Sequence, residues 1–587
     1  MSILWHATVY KTAHKTAVDQ SLKSKGISNN FMEGTNMKKV LALILALVMA
    51  AALFACGTKD GSTSSNSPPS NTASTETSTT PTSGSNDAAP NDNSSDSNGN
   101  NGAGDSTTAE DTSKYGGILR IINHTEGASP IGIPWNPASA DGELQHPFME
   151  TLFLRKYSGE IEPFIGLEII PDMENLKATV TLRPGVFFSD GSELTGEVAA
   201  WNFRMQVATP RGNPRIVDVQ ATGDYEITFY YDEWSNNFME SIASLVMCSK
   251  ESYEKNGEEW ANDNPVGTGP FIMTDYIMGQ YIKGERNPNY WQEGKPYLDG
   301  LEFHFVRDEM AQTIAMQNDG PDGVHVLNSS NPEQVKTLVD LGFNNVQAEN
   351  GPVGMIPSGA NPDSPFADVR VRQALAYAVD RQTLCNARGF GLWQPANQLP
   401  QKMYMANIDE PGFGYTYDQA KAKELLAEAG YPEGFKTKLI PQPAMIDRDT
   451  VVAIQSMLAA VGIDCELEFP DSGGYTALRN GGWEGILLHP MRIGPDFSTY
   501  MQLYFDYNNQ YMVSAKRPDN WEEMTRTAAG TVVIEEDRVE ILNRALYETA
   551  TALPIYQIAD NWVQRPNVHD SNLYVYMLIN FSDLWLS

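Results

Sequence analysis

The chain has 587 residues, with 74 Asp and Glu against 41 Lys and Arg, for a formal charge of −33. A negative field of that size argues against nucleic-acid partners and against direct docking on anionic lipid head groups. Four cysteines at long, irregular spacing and eight histidines without an i,i+3 or i,i+4 pair argue against a disulfide framework and a metal site, and no cofactor motif is present.

Residues 1–36 show no apolar periodicity and precede a complete export signal, so they read as a mis-assigned upstream extension. The signal spans 37–56: Met37-Lys38-Lys39 is its basic start, Val40–Ala55 its apolar run, and Cys56 its end. This is the lipoprotein pattern. A thiolate at Cys56 can be alkylated by a lipid donor, and cleavage before it leaves a lipid-tethered N-terminus outside the cytoplasm. The competing reading is a transmembrane helix, for which the run is short. Residues 57–114 are mostly Ser, Thr, Asn, Gly, Asp and Pro. They cannot bury enough surface to offset their ordering entropy and read as a disordered linker.

In the body, Leu176–Leu182 alternates as a half-buried strand does. Arg183-Pro184-Gly185 breaks it, and Val186–Gly191 reads as a short strand entering an Asp-Gly turn. Thr195 can cap a helix with Val198, Trp201, Met205 and Ala208 inward. Tyr225–Phe229 and Leu301–Phe305 alternate as strands. Asn264–Phe271 is a glycine-rich turn without the Gly-Lys-Ser/Thr of a phosphate loop. Asp368 can cap a helix carrying Val371, Ala374, Leu375, Ala378 and Val379. Asp418 can cap another with Ala422, Leu425, Leu426 and Ala429, stopped by Gly430. Val451, Ile454, Leu458 and Val461 form a third stripe, ended by Gly462, and Ile463–Phe469 alternates with Cys465 on its apolar side. Helices alternating with strands imply an α/β region. Cys248, Cys385 and Cys465 read as small buried residues.

Several of these stretches, taken in order, resemble the extracytoplasmic solute-binding proteins of ABC transporters, in the peptide/nickel-binding branch (solute-binding protein family 5). They are Leu182-Arg183-Pro184-Gly185-Val186-Phe187-Phe188-Ser189-Asp190-Gly191-Ser192-Glu193-Leu194-Thr195; Gly267-Thr268-Gly269-Pro270-Phe271 with Asn287-Pro288-Asn289-Tyr290-Trp291; Phe366–Leu375 with Ala378-Val379-Asp380-Arg381; Tyr417-Asp418 through Gly430-Tyr431-Pro432; and Leu553–Tyr556. Gly196-Glu197-Val198 departs slightly from the family pattern. The resemblance implies an α/β, two-lobed, periplasmic-binding-protein-like clamshell with an additional α+β domain inserted in the first lobe. It implies lobe I at 115–153, 265–347 and 560–587, the inserted domain at 154–264, and lobe II at 348–559. Ligand binds between the lobes, and hinge closure hands it to an ABC permease. The protein is then a lipid-anchored, extracytoplasmic, non-enzymatic monomer that binds a peptide or other small molecule.

The same resemblance suggests where ligand sits. Peptide-carrying members anchor the peptide amino group with an Asp in the loop that corresponds to His489–Phe497. Asp496 stands there, able to hold an ammonium or to cap the helix after it. Arg492 places a cation where those members carry an acid, and can pair with a ligand carboxylate or with a neighbouring acid. Trp393 lies in a loop that faces the cleft in the family, and Trp135 in a lobe I loop expected to border it; either can instead be a packing residue. Tyr475 is the fifth candidate. Two other functions share parts of this pattern. One is a ligand sensor of the same fold signalling to a membrane partner. The other is a secreted hydrolase, for which no Gly-x-Ser-x-Gly elbow is found.

Overall fold

A computed structural model describes residues 112–123, 131–136, 142–209, 213, 215–443, 445–506, 511–572 and 579–587. The expectations for residues 1–36, for the 37–56 signal with Cys56, and for all but the last three linker residues lie outside them. Thr112–Lys114 form a short 3-10 turn where linker was expected. The Lys114 ammonium lies 5.4 Å from the Tyr297 ring centre and 5.3 Å from that of Trp585, a cation–π attachment that fixes the start of the body.

Strand β1 (Ile118–Asn123) is followed by a hairpin of β2 (Phe153–Arg155) and β3 (Ile161–Pro163). A separate antiparallel sheet comes next: β4 (Gly166–Asp172), β5 (Lys177–Leu182), β6 (Ile216–Gly223) and β7 (Glu226–Tyr231), in the order β4-β5-β7-β6. Alternation puts Ala178, Val180 and Leu182 of β5 inward. The strand starts one residue later than expected because Leu176 has φ 50° and sits in the preceding turn. The expected strand at Val186–Gly191 is reduced to one bridge, Phe187 with Glu193. Asp190 takes over there. It accepts from Ser192 N (2.9 Å) and Oγ (2.6 Å), and from the hydroxyls of Ser249 (2.5 Å) and Ser252 (2.7 Å), so side-chain bonds turn the chain before a ladder can form.

Helix α1 (Gly196–Val207) is capped by Thr195 as expected, but its inward face differs. Ala199, Ala200, Asn202 and Phe203 are buried, Val198, Trp201 and Met205 are half-buried, and Ala208 is exposed. The helix is wedged between two cores. Phe203 meets Phe229 in the small sheet's core, while Trp201 and Met205 pack on the core around β1.

A second, larger sheet has two halves. In the first, β1 lies parallel between β10 (Gly300–Phe305) and β11 (Val326–Ser329); β9 (Tyr281–Arg286) and β8 (Phe271–Ile277) extend it antiparallel. In the second, β14 (Phe435–Pro441) lies parallel between β15 (Ile463–Leu467) and β16 (Ile486–Pro490). Two long strands join the halves: β12 (Asn344–Pro357) and β17 (Leu553–Gln564) pair with each other from Asn344↔Gln564 to Met355↔Leu553, with a register shift between Glu349 and Gly351. A two-residue strand, Gln394–Pro395, pairs with β17 beside them. Helices α2 (Val369–Ala378), α3 (Gln419–Glu428) and α4 (Arg448–Ala459) cover one face of the second half, with Leu375, Leu425, Leu426, Ile454 and Leu458 buried. Each such aliphatic side chain contributes roughly 1.5–3 kcal/mol by leaving water. Asp368 and Asp418 cap α2 and α3 as their positions predict. Cys248, Cys385 and Cys465 are free and buried. Among the described residues no helix is long and apolar enough to cross a membrane.

Candidate functional site

Parallel strands leave a crevice at their carboxyl ends, where the chain turns into loops and helices. In the second half of the sheet those ends are Pro441 of β14 and Pro490 of β16. A cavity of about 270 Å³ opens there, walled by α5 (Ser472–Gly481), the end of β16 with Met491 and Arg492, Tyr504 from α6 (Phe497–Phe505), and Tyr511. Ile558 of the crossover strand β17 closes one side. Asp471 sets α5 in place by accepting from Gly474 N at 2.6 Å. Its cavity face is Ser472, Tyr475, Thr476 and Arg479, an i, i+3, i+4, i+7 stripe.

The polar groups of this wall form one chain of hydrogen bonds. Arg479 Nη1 donates to the Tyr511 hydroxyl (2.8 Å), which lies 3.4 Å from His489 Nε2. His489 Nδ1 is 2.9 Å from the Tyr475 hydroxyl, which donates to the Leu488 carbonyl at 3.1 Å. The imidazole tautomer protonated at Nδ1 gives every member a partner. Burial, reinforced by the charge of Arg479, lowers the His489 pKa to about 3, so the ring is neutral at physiological pH. Burial also raises the phenols of Tyr475, Tyr504 and Tyr511, which therefore keep their protons. Arg479 lies over Tyr511, its guanidinium carbon 3.9 Å from the ring centre. Arg492 is exposed at the cavity mouth. Among the described residues no carboxylate stands within ion-pair distance of either guanidinium.

Across from Arg492, β17 changes character: Ile558, Ala559 and Asp560 are half-exposed in a strand that is otherwise buried. The hairpin loop between β2 and β3 brings Tyr157 close. Burial, Asp560 and Glu143 raise the pKa of its phenol, while Arg492 and Arg155 act the opposite way. Charges from both halves of the sheet and from the hairpin thus act on this one phenol. Glu143 is tied to the carboxyl ends of the first half's strands, accepting from Asn123 Nδ2 (3.2 Å) and Asn328 Nδ2 (3.0 Å). A second cavity, of about 370 Å³, lies between this hairpin loop and Met403, Met405, Asp496 and Val532–Ile534.

Of the five residues singled out from sequence, the structure brings Tyr475 and Arg492 together in the first cavity. Asp496 caps α6: its carboxylate accepts from Thr499 N at 3.3 Å, Ser498 Oγ at 2.7 Å and the Thr499 hydroxyl. It also lines the second cavity. Trp135 is placed in packing contacts. It is 5% exposed and packs edge-on against Trp201 (5.3 Å) and Tyr253 (5.8 Å), where the first-half core meets α1. Trp393 does not line the first cavity; it stacks on Tyr556 at 4.1 Å and 10° and seals the second half's core. Sequence reasoning placed His489 at the start of the ligand loop without assigning it a role, and passed over Arg479, Tyr511, Glu143, Tyr157 and Asp560. The polar stripe along α5 was the available signal for Arg479; the others come together only through the fold.

The pattern of the family described as bacterial extracellular solute-binding proteins, family 5 Middle, matches residues 171–512. The glutathione-binding protein GsiB of Salmonella paratyphi A is 28% identical over 321 residues, 52% of this chain and 61% of the relative. The oligopeptide-binding protein AppA of Bacillus subtilis is 27% identical over 387 residues, 60% of this chain and 69% of the relative. The chain thus spans less than two thirds of the glutathione-binding relative. Among solved structures, the ABC transporter substrate-binding protein CtaP from Listeria monocytogenes superposes with a TM-score of 0.71 at 22% identity, over 81% of this chain and 100% of that one. That likeness is one of fold, and the expected two-lobed α/β clamshell stands.

Proposed function

The chain belongs to the bacterial extracellular solute-binding proteins of family 5, and from that premise we propose that it captures a peptide-like or other small solute between its lobes and delivers it, chemically unchanged, to an ABC permease. The observation that carries this reading is the cavity at the carboxyl ends of β14 and β16, closed on one side by the crossover strand. A solute seated there touches the second lobe and the strand about which the lobes would move. Its binding favours the closed arrangement over the open one through the contacts it gains, on closure, with the first lobe or the inserted domain, as capture requires. The division into lobe I (115–153, 265–347, 560–587), inserted domain (154–264) and lobe II (348–559) belongs to the same proposal, as do the monomeric state and the lipid anchor at Cys56.

Native mass spectrometry of the protein purified from rich medium tests it. The expected result is a copurified small molecule that leaves on mild unfolding and returns on titration. Saturating that solute at about 100 times its dissociation constant adds roughly 2.7 kcal/mol of stability. Sustained product release from peptides or glycosides would instead point to a hydrolase.

A further inference from the structure

The cavity beside β16 is cationic in a chain of formal charge −33. Its walls carry Arg479 and Arg492 and no Asp or Glu. Neither guanidinium has a carboxylate within ion-pair distance among the described residues. Two like charges on one small, partly desolvated cavity repel each other, and an anion between the walls relieves that repulsion. The remaining polar chemistry is consistent. The imidazole of His489 is neutral and engaged on both nitrogens, so it offers no acceptor to a cation. Arg479 is preorganised by Tyr511 and by Asn480, to whose Oδ1 its Nε donates at 2.9 Å. The rings of Tyr475, Tyr504 and Tyr511 supply apolar area. The opposite sign, from Glu143 and Asp560, acts on Tyr157 from the first lobe and the crossover strand.

We propose that this cavity takes the carboxylate end of the solute, with the carboxylate paired to Arg492, Arg479 as the second cation of the wall, and a body of about one aromatic residue's bulk lying on the tyrosines. The inference rests on the solute-capture reading and adds the polarity of the bound molecule: its anionic end lies in the second lobe.

The test is isothermal titration calorimetry on the full chain with two probes of matched shape, N-acetyl-tyrosine and N-acetyl-tyrosinamide. The carboxylate probe is expected to bind roughly tenfold or more tightly than the amide, since a charge-assisted pair is at stake. Arg492→Gln is expected to abolish most of that preference while leaving the thermal midpoint unchanged, because an exposed, unpaired guanidinium adds little to folding. Equal affinities, tighter binding of the amide, or no binding of either probe at millimolar concentration would overturn the inference. Failure of the parent reading looks different. A copurified solute that is neutral or purely cationic would sink the carboxylate assignment and leave solute capture standing, whereas sustained turnover would remove both.

Discussion

Thr268, Tyr290 and Trp291 belong to two short motifs about twenty residues apart, and all three donate to one buried carboxylate. The Glu150 oxygens accept from the Tyr290 hydroxyl at 2.5 Å, Trp291 Nε1 at 2.9 Å and the Thr268 hydroxyl at 3.0 Å. Burial outweighs these donors and pushes the Glu150 pKa up from 4.5 to about 7. The folded protein therefore holds this proton more tightly than the unfolded chain does. Below pH 4.5 both states are protonated and the contribution is fully present. As pH rises toward 7 the unfolded state releases the proton first, and stability falls by up to about 1.4 kcal/mol per pH unit. Glu150→Gln removes this titration. The difference between wild-type and variant urea-unfolding free energies is expected to tilt against the wild type across that window and to level off above it. A pH-independent difference would mean that the three donors, not burial, dominate the site.

The crossover strands show how one backbone position can set the geometry of a distant side chain. Gly351 sits at the register shift in β12 with φ 131°, and a Cβ there would meet the Met491 carbonyl oxygen at 2.2 Å. Met491 N in turn donates to Pro352 O at 2.8 Å, so the strand and the loop carrying Arg492 are bonded backbone to backbone. Gly351→Ala is expected to destabilise the fold by roughly 1–3 kcal/mol, through overpacking and a strained φ, and to weaken ligand binding by moving Arg492. A chemical-denaturation midpoint equal to wild type would show that the contact is slack. Elements of this kind divide into legible and illegible by the range of the physics that makes them. Helices α2 and α3 were readable because cap and apolar stripe, and for α3 the stop at Gly430, lie within a dozen residues of one another. The inward face of α1 was misread because one period cannot say that two different cores flank a helix. Trp135 and Trp393 kept two readings for a related reason: an indole buries the same area against a core as against a ligand, and the structure shows the packing contacts of each. The cavity was half legible, through Tyr475 and Arg492. Its remaining groups are brought together by strand order, which no local pattern encodes.

At the scale of the whole molecule, residues 154–264, proposed above as an inserted domain, make two contacts that differ in kind. Toward the core around β1 they offer an apolar surface, with Trp201 and Tyr253 against Trp135 and Met205 on the same core. Toward the proposed second lobe they offer hydrogen bonds. Helix α7 (Trp521–Ala529) ends at Gly530, which has φ −81° and supplies no capping N–H of its own. The last carbonyls of a helix need outside donors: Arg538 Nη1 donates to Thr527 O at 2.8 Å, the Thr531 hydroxyl to Ala528 O at 3.4 Å, and Asn236 supplies others. Asn236 N donates to Ala529 O at 2.7 Å and Asn236 Nδ2 to Ala528 O at 3.1 Å. Asn236 Nδ2 also donates to Thr531 Oγ1 at 3.1 Å, and Trp234 Nε1 to Thr531 O at 2.9 Å. If the inserted domain travels with the first lobe, as its apolar packing dictates, these bonds exist only while the lobes are closed. They then act as a latch remote from the crossover strands. Asn236→Ala deletes two side-chain bonds worth about 1 kcal/mol each, which lowers the closed-to-open ratio roughly 5- to 30-fold. Small-angle scattering of the ligand-free variant is expected to show a larger radius of gyration than wild type, and affinity for the copurified solute is expected to fall in proportion, because the binding-competent state is rarer. An unchanged radius with unchanged affinity would mean that the inserted domain moves with the second lobe, and that the rigid bodies of this clamshell divide along α1 rather than along α7.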